Sequence, residues 1–344
     1  IRVILDAVFN HCGYLFKPFQ DVLEKGKDSK YYDWFHIRKW PLEKNPPSYE
    51  AFAFESHMPK INTENPEVKE YILSVAKYWI EEADIDGWRL DVANEIDHEF
   101  WRDFRKVVKG TKEDAFIIGE IWHNSLPWLM GDQFDSIMNY PVTTACLKYF
   151  AFNNIDHMEF KELISNTTMR YTKQVNDALF NLLDSHDTSR FLTKCDGDTR
   201  KLKLAAGFML TFTGTPCIYY GTEVGMEGGH DPDCRKTMQW NEEKWDKDLF
   251  NFYKSLIGLR REHSALRRGN FKWLDTKCDV VGYIRESEDE KIVVMINNSD
   301  EIKEVELDNC ANSCTDLLKN EEILLRENKA KLVLKSYGIK VLSM

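Results

Sequence analysis

Asp86-Gly87-Trp88-Arg89-Leu90-Asp91-Val92-Ala93-Asn94-Glu95 is a short, mostly apolar run that sets an arginine two positions before an aspartate and closes on Asn-Glu. In a β-strand, residues i and i+2 share a face, so the run places Arg89 beside Asp91. A guanidinium next to a carboxylate keeps it ionised and fixed in place, which suits a nucleophile or an electrostatic stabiliser. A structural ion pair at a strand end fits this one pair equally well. The flanking chain decides between them.

Just upstream, Asn65 can cap a helix, Pro66 suits its first position and Glu67 suits its positive end. Val68, Ile72, Val75, Trp79 and Ile80 then recur at helical spacing and predict one buried face. Further back, Arg2 to His11 reads as a buried strand that turns polar at its C-terminal end. Residues 12–60, with Pro41, Pro46, Pro47 and Pro59, read as a long functional loop or small subdomain.

The alternation continues downstream. A helix is expected over Glu99 to Val108, a strand over Ala115 to Glu120 and another over Phe134 to Tyr140. Val142 to Phe152 reads as helix, Ala178 to Leu183 as strand, Lys201 to Phe212 as helix, Cys217 to Tyr220 as strand and Leu249 to Arg261 as helix. Strands alternating with helices imply parallel sheet with right-handed crossovers. Six such strands fall short of a closed eight-stranded barrel. From about Phe271 the texture changes to short β runs, which predict a separate antiparallel β-sandwich.

Four of the strand candidates end in polar clusters: Asp6 with Asn10 and His11, Arg89 with Asp91, Glu120, and His186 with Asp187. In a (β/α) barrel the loops after the strand C-termini build the active site. Carboxylates gathered at one mouth without cationic partners repel one another, so several there imply a functional reason. Three carboxylates without a Cys/His metal cluster fit glycosidic-bond chemistry. Asp91, beside Arg89, suits the nucleophile, and Glu120, on an apolar strand near Trp122, suits the acid/base because burial favours its protonated form. Asp187 suits a stabiliser of positive charge, with His11 and His186 donating hydrogen bonds to sugar hydroxyls.

The bulk properties narrow the field. The chain has 344 residues, 43% of them hydrophobic and 30% charged, as in an ordinary globular protein with a sizeable core. Its net charge of −11 argues against nucleic-acid and anionic-membrane surfaces. The 10 Trp, 14 Tyr and 20 Phe suit stacking on sugars as well as core packing. The eight cysteines include no CxxC pair, so free thiols in a reducing, cytoplasmic compartment are expected. No apolar run approaches the roughly 20 residues of a membrane span. The chain opens without Met, directly in a strand-like run, so a signal peptide stays open.

Asp6-Ala-Val-Phe-Asn-His11, Gly87 to Glu95, Gly119-Glu-Ile-Trp122 and Asn181-Leu-Leu-Asp-Ser-His-Asp187 resemble the four signature regions of the alpha-amylase family of glycoside hydrolases. Met58-Pro-Lys-Ile61 and Gly228-Gly-His-Asp-Pro-Asp-Cys-Arg235 resemble its neopullulanase, cyclomaltodextrinase and maltogenic amylase branch. The resemblance implies a (β/α)8 barrel over residues 1–262, with the loop subdomain at 12–60, and a C-terminal β-sandwich over 263–344. It implies that the first two βα units of the barrel are absent from this chain, which is then a fragment or needs a second polypeptide.

For the site, the resemblance implies Asp91 as nucleophile, Glu120 as acid/base and Asp187 as transition-state stabiliser. Asp6, Arg89, His11 and His186 would hold the sugar in the cleavage subsite, with Asp231 and Arg235 on the next sugar. Phe52, Asn94, Glu95 and Trp122 would contact the leaving side, and Tyr140 would line the site. Thr222 stands where the family usually has Asp. Some members hold a structural calcium near the position of Asn10; the branch often lacks it, so no cofactor is required and calcium stays open.

The function implied is retaining hydrolysis of α-1,4-glucosidic bonds in maltodextrins, cyclodextrins or pullulan, by a protein whose partner is an α-glucan and which forms a homodimer when complete. A transglycosylase or disaccharide isomerase would use the same carboxylates. A catalytically inactive binding subunit typically loses carboxylates that are all present here.

Overall fold

The computed structural model describes residues 1–276, 278–308, 313–324 and 329–344. Cys310 lies outside the described residues. The chain divides into two units, Ile1–Met138 and Asn139–Met344.

In the first unit a four-stranded parallel sheet runs in the order β1 (Ile4–Ala7), β2 (Gly87–Leu90), β3 (Phe116–Gly119), β4 (Ser136–Ile137). Three helices fill the connections: α1 (Lys17–Lys25), α2 (Pro66–Ala83) and α3 (His98–Thr111). Helix α2 begins where its sequence says it should. The Asn65 side chain accepts hydrogen bonds from the backbone of Glu67 (2.9 Å) and Val68 (3.3 Å), and Pro66 follows. Its buried stripe is Val68, Ile72, Ala76 and Ile80, one residue every four. Trp79 was expected on that face and is instead 43% exposed, because it stands a position off the stripe that Ala76 and Ile80 occupy.

Other boundaries moved too. Strand β1 is shorter than Arg2 to His11, since beyond Ala7 the chain leaves the sheet and His11 pairs with Lys60 of the loop. That loop holds helix α1, whose Phe19 and Val22 are fully buried. The expected strand over Phe134 to Tyr140 shrinks to β4, with Tyr140 opening a helix ahead of Pro141.

The second unit starts with α4 (Tyr140–Cys146), which continues as a π-helix over Leu147–Ala151. Helices α5 (His157–Thr168) and α6 (Lys173–Ala178) lead into β5 (Phe180–Leu182). After α7 (Phe191–Lys194) and α8 (Thr199–Thr211) comes β6 (Thr215–Cys217), parallel to β5 and earlier in the chain than Cys217 to Tyr220. The six parallel strands therefore lie in a sheet of four and a sheet of two. Helices α9 (Lys247–Glu262) and α10 (Ser264–Arg268) precede the antiparallel strands.

Those strands are β7 (Asn270–Leu274), β8 (Val281–Glu286), β9 (Lys291–Asn297), β10 (Lys303–Asp308), β11 (Ser313–Asp316), β12 (Glu321–Leu324), β13 (Lys329–Leu334) and β14 (Gly338–Ser343). Six form one sheet in the order β12-β11-β14-β9-β8-β7, and β10 pairs with β13. Alternation along the strands sorts the core into two layers. Val281, Tyr283, Val294 and Ile296 pack with Ala205, Phe208 and other residues of α8. Val280, Val293, Met295 and Leu342 pack with Val305 and Leu332 of the two-stranded sheet.

Candidate active site

Sheet register brings the first group together. Asp6 pairs with Arg89 across β1 and β2, and Arg89 with Ile118 across β2 and β3. Just past the strand ends, the Asp91 N–H donates to Ala7 O at 3.0 Å and the Glu120 N–H to Leu90 O at 2.8 Å. Two carboxylates on neighbouring strands are thus anchored by backbone beside the same arginine.

Arg89 grips both, and a third. Its Nη1 donates to Asp91 Oδ1 at 2.6 Å and to Asp6 Oδ1 at 2.9 Å, and its Nη2 lies 2.9 Å from Glu120 Oε2. The side chains of Arg89, Asp91 and Glu120 are 11%, 19% and 7% exposed. Arg89 was expected beside Asp91; the structure adds that the same buried guanidinium also serves Asp6 and Glu120. Burial works against the guanidinium's charge, but Glu120, Asp6 and the hydrogen bond with Asp91 outweigh it and raise its pKa. Glu120 also accepts from Val92 N–H at 3.0 Å and from Trp122 Nε1 at 3.2 Å, so it is buried yet well hydrogen-bonded.

His11 is buried and its ring stacks on Phe52, with centroids 4.7 Å apart and planes 14° from parallel. Burial lowers its pKa, against the fields of Asp91 and Glu95, which favours a neutral imidazole able to donate to a hydroxyl. Asn10 Nδ2 donates to Glu95 Oε2 at 3.1 Å, and Lys60 Nζ sits 3.1 Å from that same oxygen. A calcium ion beside Asn10 does not fit this arrangement, because the Lys60 ammonium already neutralises Glu95. Ala93, Asn94 and Glu95 form a single turn in which Ala93 is buried and Asn94 and Glu95 are exposed, and Trp122 is 48% exposed.

The second unit carries the other group on the loop after β5. His186 Nε2 lies 3.1 Å from Asp187 Oδ2, and Arg235 Nη2 donates to Asp187 Oδ1 at 3.2 Å. Arg235 Nε contacts both His186 O at 3.0 Å and Asp231 Oδ1 at 2.7 Å. His186, Asp187, Asp231 and Arg235 are thus one connected cluster. Tyr140 is only 2% exposed; its hydroxyl meets Ser185 Oγ at 3.1 Å, and Ser185 Oγ accepts from Asp187 N–H at 3.2 Å. It buttresses the loop that carries Asp187.

Beneath that loop lies a group that sequence reasoning passed over. Asp184 is buried and accepts from Phe191 N–H at 2.9 Å and from the Thr222 hydroxyl at 3.0 and 3.1 Å. Arg190 is fully buried, donates to Cys234 O at 3.1 Å, and lies over the rings of Tyr219 and Tyr220. The threonine at 222 now has a physical reading. An aspartate there would set a second carboxylate against a buried one, whereas the hydroxyl donates to it.

Burial pushes the Asp184 carboxyl up to about 6, against opposing hydrogen bonds from Phe191 and Thr222. Because the folded value lies above the unfolded 3.8, its stabilising contribution is complete below about pH 3.8 and lost as pH rises through about 6. Asp184→Asn removes that dependence. Urea unfolding from pH 4 to 7 should show the native protein losing about 2 kcal/mol relative to the variant across this window, at 1.36 kcal/mol per pKa unit. Parallel stability profiles would show that Asp184 titrates normally.

Among the described residues, no group of three or more His, Cys, Asp or Glu could hold a metal ion, and no helix is long and apolar enough to cross a membrane.

Comparison with known proteins connects these clusters to a family. Residues 1–246 match the family model described as alpha amylase, catalytic domain, and residues 271–341 match the maltogenic amylase C-terminal domain. The chain is 56% identical to a cyclomaltodextrinase of Geobacillus thermopakistaniensis over 308 residues, covering 89% of this chain and 52% of that protein. It is 47% identical to neopullulanase 2 of Thermoactinomyces vulgaris over 344 residues, covering 98% of this chain and 59% of that protein. A solved cyclomaltodextrinase structure matches with a TM-score of 0.95 at 50% identity, over 100% of this chain and 60% of that one. The chain spans little more than half the length of these relatives.

Proposed function

The chain belongs to the alpha-amylase family of (β/α)8-barrel proteins, and from that premise we propose that it carries the chemistry of a retaining glycoside hydrolase acting on α-1,4-linked glucans. The substrates proposed are maltodextrins, cyclodextrins and pullulan, as the names of its relatives suggest. The observation that carries this reading is the grip of Arg89 on Asp91 and Glu120 at once.

A retaining glycosidase needs one ionised carboxylate and one protonated carboxylic acid close together, about 5–5.5 Å apart. Two carboxylates facing the two terminal nitrogens of one guanidinium are held close together. Asp91, 2.6 Å from Arg89 Nη1, is assigned to the nucleophile and Glu120, 2.9 Å from Nη2, to the acid/base. In the first step Asp91 attacks the anomeric carbon, and Glu120 gives its proton to the glycosidic oxygen as that bond breaks. In the second, Glu120 takes a proton from water, which displaces Asp91 and restores the α-configuration.

His186 and Arg235 hold Asp187, which we assign to stabilising positive charge on the sugar. His11, neutral and stacked on Phe52, is assigned to donating to a hydroxyl, with Asp6 steadying Arg89 from its far side. Asp231 and Arg235 are assigned to the next sugar, and Trp122, Asn94 and Glu95 to the leaving side. Tyr140 is assigned to buttressing rather than contact.

Residues 1–262 form the barrel part in this reading, with the loop subdomain at 12–60, and residues 263–344 the β-domain; a homodimer of the complete protein belongs to it too. The seven described cysteines are all free thiols, which supports the cytoplasm as its compartment. Proton NMR of maltotetraose cleavage in its first minutes tests the reaction type. The α-anomer should appear first and then mutarotate; initial β-product would overturn double displacement.

A further inference from the structure

Three residues past Asp187, Arg190 is fully buried at the entrance to α7. A buried guanidinium is costly unless its donors are used, so where they go is informative. The Arg190 backbone N–H donates to Gly228 O at 2.9 Å, its Nε to Cys234 O at 3.1 Å and its Nη1 to Tyr220 O. Its charge lies over the rings of Tyr219 and Tyr220, 4.1 and 4.7 Å from their centroids. Among the described residues, Nη2 has no hydrogen-bond partner. Tyr220, Gly228 and Cys234 stand at the start, middle and end of the long loop that follows β6. One arginine thus fastens that loop at three points.

The far end of the loop turns back on the residues just before Arg190. Cys234, fully buried, donates its thiol to His186 O at 3.2 Å. Its neighbour Arg235 donates from Nε to that same oxygen at 3.0 Å and from Nη2 to Asp187 Oδ1 at 3.2 Å. Arg190, Cys234, Arg235, His186 and Asp187 therefore close a ring of contacts between two loops. The middle of the loop is held tightly against its end: a β-carbon on Gly228 would meet Asp233 O at 2.6 Å and Cys234 Cα at 2.9 Å. The ring is inside at one end and outside at the other. The side chains of Arg235 and Asp187 are 46% and 30% exposed, whereas Arg190 is out of a sugar's reach.

We propose that Arg190 is a positioning residue for the reaction: by pinning Tyr220, Gly228 and Cys234 to its own loop, it sets where Arg235 stands against Asp187. That role rests on the assignment of Asp187 and Arg235 to the sugar, and extends it to what holds the pair in register. Lysine would not serve, because one ammonium on a flexible stem cannot reach two carbonyls from fixed directions while covering two rings.

A double-mutant cycle in the full-length protein tests it, with kcat and KM for maltotetraose expressed per active site, counted by labelling with a slow fluoroglucosyl substrate. Arg190→Met and Arg235→Met should each lower kcat/KM about ten- to a hundredfold, what one hydrogen bond to a charged group contributes. Because Arg190 acts through Arg235, the double variant should fall short of the product of the two losses by about threefold or more. A merely structural arginine would lower the melting temperature and the number of labelled sites, and leave kcat and KM per site unchanged. That result would overturn the proposal, as would a double variant whose loss equals the product. Should Arg190→Met not fold, Arg190→Lys takes its place in the cycle. A crystal structure of Arg190→Lys should show Arg235 Nη2 out of hydrogen-bond reach of Asp187, and the native 3.2 Å contact kept there would count against the role. Full activity in Asp187→Asn would instead overturn the sugar assignment on which the role rests.

Discussion

Asp91→Asn should lower the turnover of maltotetraose on the order of 10^4-fold or more, with little change in fold. The loss is large because the substitution removes the atom that forms the covalent bond, and losing a nucleophile costs more than losing any one binding contact. The fold should survive because the asparagine side chain has the same shape and its carbonyl oxygen can still accept from Arg89 Nη1, now 2.6 Å from Asp91. Backbone support is untouched, since the Asp91 N–H continues to donate to Ala7 O. Turnover measured beside a thermal melt separates the two effects. Activity within tenfold of the native protein would remove Asp91 from the nucleophile's role.

Arg89→Leu should cost both activity and stability. The guanidinium contacts three carboxylates, two of which have side chains that are 19% and 7% exposed. Leaving buried charges without their partner costs about 3–5 kcal/mol. Asp6 contributes least to that figure, since its side chain is 52% exposed and water screens it. Urea unfolding at pH 7 should show the loss. Arg89→Lys keeps the charge but cannot serve three partners from fixed directions, so its cost should fall between the two. If Arg89→Leu unfolds at the same urea concentration as the native protein, the three-way grip carries no weight in the fold.

The sequence was most legible where function and local geometry coincide. Asn65-Pro66 announces helix α2 because a cap and a first-turn proline are local signals, needing no knowledge of the rest of the chain. Arg89 and Asp91 are two residues apart, and strand geometry alone places them together. Trp79 misled because hydrophobicity at roughly helical spacing does not say which of two adjacent positions turns inward; Ala76, an unremarkable residue, holds the stripe.

What stayed hidden depends on partners far apart in the chain. Nothing near Glu120 tells that Arg89 will reach it, so its environment read as apolar when it is ionic. Asp184 meets Thr222 across 38 residues, and Asn10 meets Glu95 across 85. The one sequence signal for the first pair was the threonine itself, standing where the family pattern has an acid. A departure from a pattern marks a place to look, but only the fold shows which charge it spares.

The central claim is that Asp91 forms the bond to sugar. A glucosyl fluoride carrying a second fluorine on the ring slows breakdown of such an intermediate, so the adduct can be digested and located by mass. The account predicts one fluoroglucosyl unit on the peptide that contains Asp91, and none on that peptide from the Asp91→Asn protein. An adduct on the peptide of Glu120 or Asp187, or turnover with no adduct and release of inverted product, would contradict it.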